Sequence, residues 1–181
     1  MVSVSPTRNE LLLNLIEYTE LSTGLSNDRI IRGKQNAPAP TGAYCTITYI
    51  NHVANGLREN KLSTIVNNDN ELTEVTTVQK IYSYSVQFYR DNAADLGMSF
   101  MLYYQTLEAQ VFFMTSLFTI KSIDNISESG DIVSKNYQER AIMTVDLYVR
   151  ENIFTIINKV DEIDINIKYN ELEDNIKVVR E

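Results

Sequence analysis

The stretch VTTVQKIYSYSVQFYRDNAADLGMSFMLYYQTL, residues Val75–Leu107, decides how the rest of the chain must be arranged. From Val78 the even positions read Val78, Lys80, Tyr82, Tyr84, Val86 and Phe88, and the odd ones Gln79, Ile81, Ser83, Ser85, Gln87 and Tyr89. A period of two with one largely apolar face is the pattern of a half-buried strand. At Arg90-Asp91-Asn92 the period changes. Ala93, Ala94, Gly97, Phe100, Met101, Tyr104, Leu107 and Glu108 then recur at spacings of three and four, which predicts a helix with Asp91 as its N-cap. A strand feeding an apolar helix requires further strands beside it and the helix folded back across them. The expected fold is α/β in the broad sense (α+β): a single domain over residues 1–181, with a mixed, mostly antiparallel sheet flanked by helices.

The flanking chain supplies both layers. Ser5-Pro6-Thr7 opens a helix, with Pro6 at its first position or, alternatively, Thr7 and Glu10 as a capping box. Its apolar stripe is Leu11, Leu12, Leu15, Ile16 and Thr19. A shorter helix is expected from Ser26, carrying Ile30 and Ile31 and ended by Gly33. Lys34–Pro40 is an extended loop stiffened by Pro38 and Pro40. Tyr44–Val53 reads as a strand and Asn55-Gly56 as a turn. Residues 55–74 are expected to protrude, the polar stretch Leu57–Thr73 with Asn67-Asn68-Asp69-Asn70 at its centre forming a loop or long hairpin tip.

Beyond the organising helix, Val111-Phe112-Phe113-Met114 extends it or forms a second one, and Phe118–Ile123 alternates as a strand. Ser127-Glu128-Ser129-Gly130-Asp131 is a loop by composition. Ala141, Met143, Val145, Leu147 and Val149 then point one way, and Ile142, Thr144, Asp146, Tyr148 and Arg150 the other, in the clearest strand of the chain. Ile153, Ile156, Ile157 and Val160 fit a short helix or a strand. Ile163, Ile165, Ile167 and Tyr169 fit a strand, and the charged tail 170–181 is expected to fray or to pack on a neighbour.

Composition bounds the function. The net charge is −8, with acids spread along the chain, which argues against phosphate binding over a broad surface. Eleven Tyr and no Trp suit a large protein interface as well as a core, because tyrosine keeps one end wet. The single cysteine, Cys45, lies within an apolar strand pattern, which excludes an intramolecular disulfide and fits a reducing compartment. Met1-Val2-Ser3-Val4-Ser5-Pro6 has neither a basic nor an apolar region, and no apolar run reaches the length of a membrane span. Neither a signal peptide nor a membrane helix is expected.

No catalytic constellation emerges. His52, the single histidine, has no second ligand placed to share a metal and reads as a strand-end residue. Cys45 and His52, odd and even on one strand, are expected on opposite sides of the sheet, which separates them as a nucleophilic pair. Six glycines, with neither a dinucleotide nor a phosphate-loop motif, disfavour nucleotide chemistry. Asp161-Glu162 reads as a hairpin edge, and Glu171 with Glu173 as a solvated face, rather than as a divalent-cation site. No cofactor or metal is expected. Met98, Phe100, Met101, Tyr103, Tyr104, Phe112 and Phe113 read as core at helical spacing, a ligand cavity being the other reading. Assembly or binding, not catalysis, is the expected class, with a small cytosolic ligand-binding domain or enzyme as the remote alternative.

The ordered features resemble one family. An N-terminal helix precedes the lead Asn36-Ala37-Pro38-Ala39-Pro40 and an aromatic strand at Tyr44–Ile50. A strand ending Val86-Gln87-Phe88-Tyr89, an Ala- and Leu-containing helix, a strand at Phe118–Ile123 and the opening Tyr137-Gln138-Glu139-Arg140-Ala141 follow. In order and spacing these resemble the bacteriophage neck or tail terminator proteins over about Asn9–Lys168. The chain departs from the family pattern at Arg90, where a small residue is usual, and in the stretch Leu57–Thr73. The resemblance implies a non-enzymatic structural virion protein, assembled in the host cytoplasm. It would form a ring, most often a hexamer, at the head-proximal end of the tail, where it stops tube polymerisation and docks the neck. The implied partners are further copies of itself, the tail-tube protein and neck or connector proteins, with DNA passing through unheld and no membrane. Another head-tail joining or tail-tube role is the alternative. The candidate interface residues are Tyr137, Glu139 and Arg140 at the strand opening, Asn67 and Asp69 in the first polar segment, and Glu128 and Asp131 in the second.

Overall fold

The computed structural model describes the backbone of residues 2–4, 6–34, 38–61, 72–133, 136–157, 162–169 and 172–179, and the side chains of residues 6–34, 38–55, 76–130 and 138–152. In chain order the elements are β1 (Val2–Val4), α1 (Arg8–Thr23), a 3-10 turn (Asn27–Arg29), β2 (Ile30–Arg32), β3 (Tyr44–Lys61), β4 (Leu72–Tyr89), α2 (Ala93–Tyr103), α3 (Leu107–Thr115), β5 (Phe118–Ile123), β6 (Ser127–Val133), β7 (Asn136–Ile157), β8 (Glu162–Tyr169) and β9 (Leu172–Val179). β2, β3, β4 and β7 lie side by side, β2 parallel to β3 and the others antiparallel. The far edge of β7 is tiled by β6, β5 and β1, which completes a seven-stranded sheet. β8 and β9 form a separate two-stranded ribbon. The architecture is α+β with a mostly antiparallel sheet, as the alternation predicts.

β4 and β7 pair without a register shift from Leu72 opposite Ile157 to Tyr89 opposite Arg140. Tyr82, Tyr84, Val86 and Phe88 thereby face the same way as Leu147, Val145, Met143 and Ala141, and all eight are buried. A slip by one residue would turn one of the two rows to the opposite face and away from the other, so the two period-two patterns fix each other's register. Leu11, Leu15, Ile16 and Tyr18 of α1 and Ala93 and Phe100 of α2 cover this face. Gly97 lets α2 approach β7, since a Cβ there would lie 3.1 Å from Met143 Cε. α1 opens with the capping box: Glu10 N–H donates to Thr7 Oγ1 at 3.2 Å, and Thr7 N–H donates to Glu10 Oε2 at 2.6 Å.

Several local expectations are overridden. Asn92, not Asp91, is the N-cap of α2; it stands at φ 59°, and no side chain caps the helix. The Arg90 N–H is held by the Glu139 carbonyl at 2.8 Å, and Arg90 itself stands at φ 68°. The chain therefore leaves β4 through left-handed residues before the helix begins. The helix expected from Ser26 is a 3-10 turn followed by β2, because Ile30 and Ile31 find parallel partners in Cys45 and Thr46. Asn55-Gly56 is not a turn: β3 continues to Lys61, and the signal is absorbed in a register irregularity between Ala54 and Arg58. Ser127–Val133 is a strand rather than a loop, since β7 offers it a backbone partner from Ile142 to Asn136. Part of the tail expected to fray or to pack on a neighbour is β9, paired with β8. Ile153–Ile157 belong to β7, while Val160, Asp161, Glu171 and residues 62–71, including Asn67 and Asp69, lie outside the described residues.

Candidate assembly surfaces

In α3, LEAQVFFMT, six of nine residues are apolar, and the polar Glu108, Gln110 and Thr115 are interspersed with exposed apolar side chains instead of forming a separate polar face. Inward, Phe112 and Phe113 meet Tyr18 and Phe118, with ring centroids 5.8 and 5.7 Å from Tyr18. Tyr18 is wholly buried and donates its hydroxyl to the Phe100 carbonyl at 3.3 Å; burial first, and then the neighbouring Tyr103 and Tyr104, raise its pKa. Outward, Leu107, Val111 and Met114 are 74%, 58% and 85% exposed. Leu21 of α1 joins Leu107 and Val111 over Tyr103 and Phe112, lining a shallow groove of about 540 Å³ whose single charged residue is Glu108. The aromatic and methionine group is thus split. Phe100 is core, Met101, Tyr103, Phe112 and Phe113 are half-buried, and Met98 and Tyr104 are exposed, contrary to the expectation of core for all of them.

The opposite face of the sheet carries no helix among the described residues. Its polar groups satisfy one another in rows. Arg140 Nη2 and the Tyr89 hydroxyl both donate to Gln87 Oε1, at 2.7 and 2.6 Å, and Gln87 Nε2 donates to Ser85 Oγ at 2.9 Å. Tyr44 stacks on Tyr89 with centroids 4.7 Å apart, and the Arg90 and Arg140 guanidiniums lie 5.4 and 5.2 Å from the Tyr44 and Tyr89 ring centroids. Further along, Ser83 donates to Asp146 Oδ1 at 2.6 Å, and Lys121 Nζ stands 3.6 Å from the same carboxylate.

On the helix side, beyond the core, Tyr82 donates to Glu151 Oε1 at 2.7 Å and Lys80 Nζ lies 2.5 Å from Glu151 Oε2. A carboxylate only 5% exposed needs such partners to remain charged. His52 stacks on Tyr82 at 5.1 Å and shares a 2.6 Å hydrogen bond with the Tyr49 hydroxyl through Nδ1. The register shift between Tyr49 and Asn51 turns His52 onto the helix-side face, which is also the face of Cys45. The expectation that they face opposite ways fails on that bulge. They still form no pair, because Ile47 and Tyr49 intervene along the strand and Cys45 is wholly buried, its thiol pKa raised by that burial. Among the described residues no three or more His, Cys, Asp or Glu side chains gather as a metal site.

The hairpin of β6 and β7 brings five of the candidate interface residues together. Its register sets Glu128 opposite Ala141, Asp131 opposite Gln138, Ile132 opposite Tyr137, Gly130 opposite Glu139 and Ser129 opposite Arg140. Glu128 and Glu139 are exposed and Arg140 is half-buried, while the side chains of Asp131 and Tyr137 lie outside the described set. The outward stripe of α3 was not among the candidates. Its signal is the lack of a separate polar face on LEAQVFFMT, a pattern that predicts burial without saying whether the chain or a partner provides it.

No helix among the described residues is long and apolar enough to cross a membrane. Comparison with curated proteins finds no significant match. The family described as phage neck terminator protein matches residues 10–173, which takes in both helix-covered and open faces of the sheet, the β6–β7 hairpin and all three helices. The chain belongs to the phage neck terminator protein family, and is thus a structural protein of the phage neck.

Proposed function

We propose that this chain, as one domain over residues 1–181, is the subunit of a homo-oligomeric ring, most often a hexamer in proteins of this type. The ring closes the head-proximal end of the tail tube, stops tube polymerisation and presents a docking surface to the neck or connector proteins. The observation that carries the reading is the outward face of α3: Leu107, Val111 and Met114 stand in water beside only Glu108, Gln110 and Thr115, as a subunit awaiting a neighbour would hold them. The net charge of −8 supports a ring that DNA traverses without being held. The segment Ser127–Asn136 with Glu128 and Asp131, or the segment containing Asn67 and Asp69, contacts the adjoining tube or neck ring, while Glu139 and Arg140, next to Tyr137 at the opening of the long strand, form pairs between subunits. Assembly takes place in the host cytoplasm, and the ring becomes part of the virion.

The test is the mass of the purified protein by light scattering over a range of concentrations, with negative-stain images of the same samples and of tails made without the protein. Closed rings of uniform size, and overlong tails in its absence, are expected. Open stacks would overturn the terminator reading in favour of a tube component, and tails of normal length without the protein would overturn it outright.

A further inference from the structure

The two broad faces of the molecule differ in charge and in texture. The three helices carry Glu10, Glu17, Glu20, Asp95 and Glu108 against the single Arg8, a net charge of −4. On the open sheet face the described side chains include Arg90, Arg140, Arg150 and Lys121 against Asp146, a net charge of +3 for these five. A basic face on a chain of net charge −8 is a local arrangement, not a consequence of composition. Both faces also hold an apolar line. On the helix layer it is Leu107, Val111 and Met114; on the sheet it is Val53, Ile81 and Tyr148, which are partners in one row across β3, β4 and β7. Arg150 follows Tyr148 by two residues and so shares its face, as Glu108 neighbours Leu107.

We infer that the open sheet face of one copy docks on the helix layer of the next, the row Val53, Ile81 and Tyr148 lying across the stripe Leu107, Val111 and Met114. A second copy is the occupant because each face supplies the charge the other lacks. A closed ring also needs a heterologous contact, one patch meeting a different patch, and faces on opposite sides of a two-layer molecule meet that need. The inference rests on the ring reading and specifies its subunit contact.

The experiment is cysteine cross-linking of the full chain with a short bismaleimide, applied to purified protein and to phage particles carrying the variants. Val53→Cys and Val111→Cys are each at 58% exposed positions, and the native Cys45 is buried and silent. The chain carrying both substitutions is expected to give a ladder of covalent oligomers up to the ring, each single variant alone none, and a mixture of the two singles dimers only. Lys121→Glu with Arg150→Glu should abolish the ladder, and adding Glu17→Lys with Glu108→Lys to the same chain should restore it. Rings seen by light scattering without the ladder overturn this contact and leave the ring reading standing. A monomer at every concentration, with no ladder in particles either, overturns both. If Lys121→Glu with Arg150→Glu leaves assembly intact but lowers retention on immobilised DNA, the sheet face belongs to nucleic acid and the contact is wrong.

Discussion

A Cβ built on Gly33 would lie 1.8 Å from Thr48 Oγ1 and 2.9 Å from Thr48 Cβ, closer than real atoms approach. Gly33 also donates its N–H to the Ile47 carbonyl at 2.8 Å, so the backbone cannot retreat without losing the contact that carries the chain from β2 toward β3. Gly33→Ala should therefore lower the unfolding free energy by about 1–3 kcal/mol, the range for forced overpacking. Thr48→Ala in the same chain should recover part of the loss by removing the nearer atom. Strictly additive effects in denaturant titrations would show that the two positions do not meet. The tyrosines give a second residue-scale prediction. Burial, then Tyr49, outweighs the lowering effect of Arg8 and pushes Tyr84 up to about 12 from 10.0. Burial is likewise the first cause of the upward shifts of Tyr18, Tyr82, Tyr44 and Tyr103. Each folded-state value lies above the unfolded one, so the folded chain holds the phenolic protons more tightly. For Tyr84 the contribution is whole below pH 10.0 and is lost as pH rises through about 12; for the others it is lost in the same direction. Stability measured by urea titration should fall steeply across that interval, and Tyr84→Phe should flatten the fall; an equal slope in the variant would mean Tyr84 ionises freely while folded.

At the scale of elements, α1 depends on its first turn. The Thr7 backbone N–H and then its hydroxyl, both donating to the Glu10 carboxylate, lower the pKa of Glu10 below 4.5. That depressed value means the box is intact above the ordinary carboxylate range and is lost as pH falls through the folded-state pKa. Thr7→Ala should cost about 1 kcal/mol near neutral pH, as for other N-caps, and less in acid, where Glu10 is protonated and half of the box has already gone. Thermal unfolding at the two pH values separates these outcomes, and an equal loss at both would assign the effect to Thr7 alone. The same scale shows what could be read from the sequence. β4, β7 and α1 were legible because their periods persist over many residues and a packed face enforces them. β2 was not, since Ile30–Arg32 is too short to show a period and its partner is fixed only when β3 arrives. β6 carries the Ser, Gly and Asp composition of a loop and becomes a strand through backbone bonds to β7, which composition does not encode. His52 faces the helix side only because one bulge shifts the alternation after Tyr49, and a bulge leaves no mark in a period-two count. The break between α2 and α3 did have a sign, Thr106, whose hydroxyl accepts from the Ala109 N–H at 3.1 Å as an N-cap.

For the whole molecule, the outward stripe of α3 and the opposed charges of the two faces have different physical signatures, and salt separates them. Raising the ionic strength from about 0.1 to 1 M shortens the Debye length from about 10 to 3 Å, which removes long-range attraction between a basic face and an acidic one. Burial of Leu107, Val111 and Met114 is not screened, because it depends on apolar area withdrawn from water. If assembly uses both, high salt should slow association while rings already formed persist. Val111→Asp with Met114→Asp should prevent assembly in either buffer. The same two changes should leave the monomer's unfolding free energy within about 0.5 kcal/mol of the parent, since both side chains point into solvent. Time-resolved light scattering at the two salt concentrations, with denaturant titration of the monomer, measures all three quantities. Undiminished assembly of the aspartate chain would make the stripe a solvated face, and rings that dissolve at high salt would place the contact on charge alone.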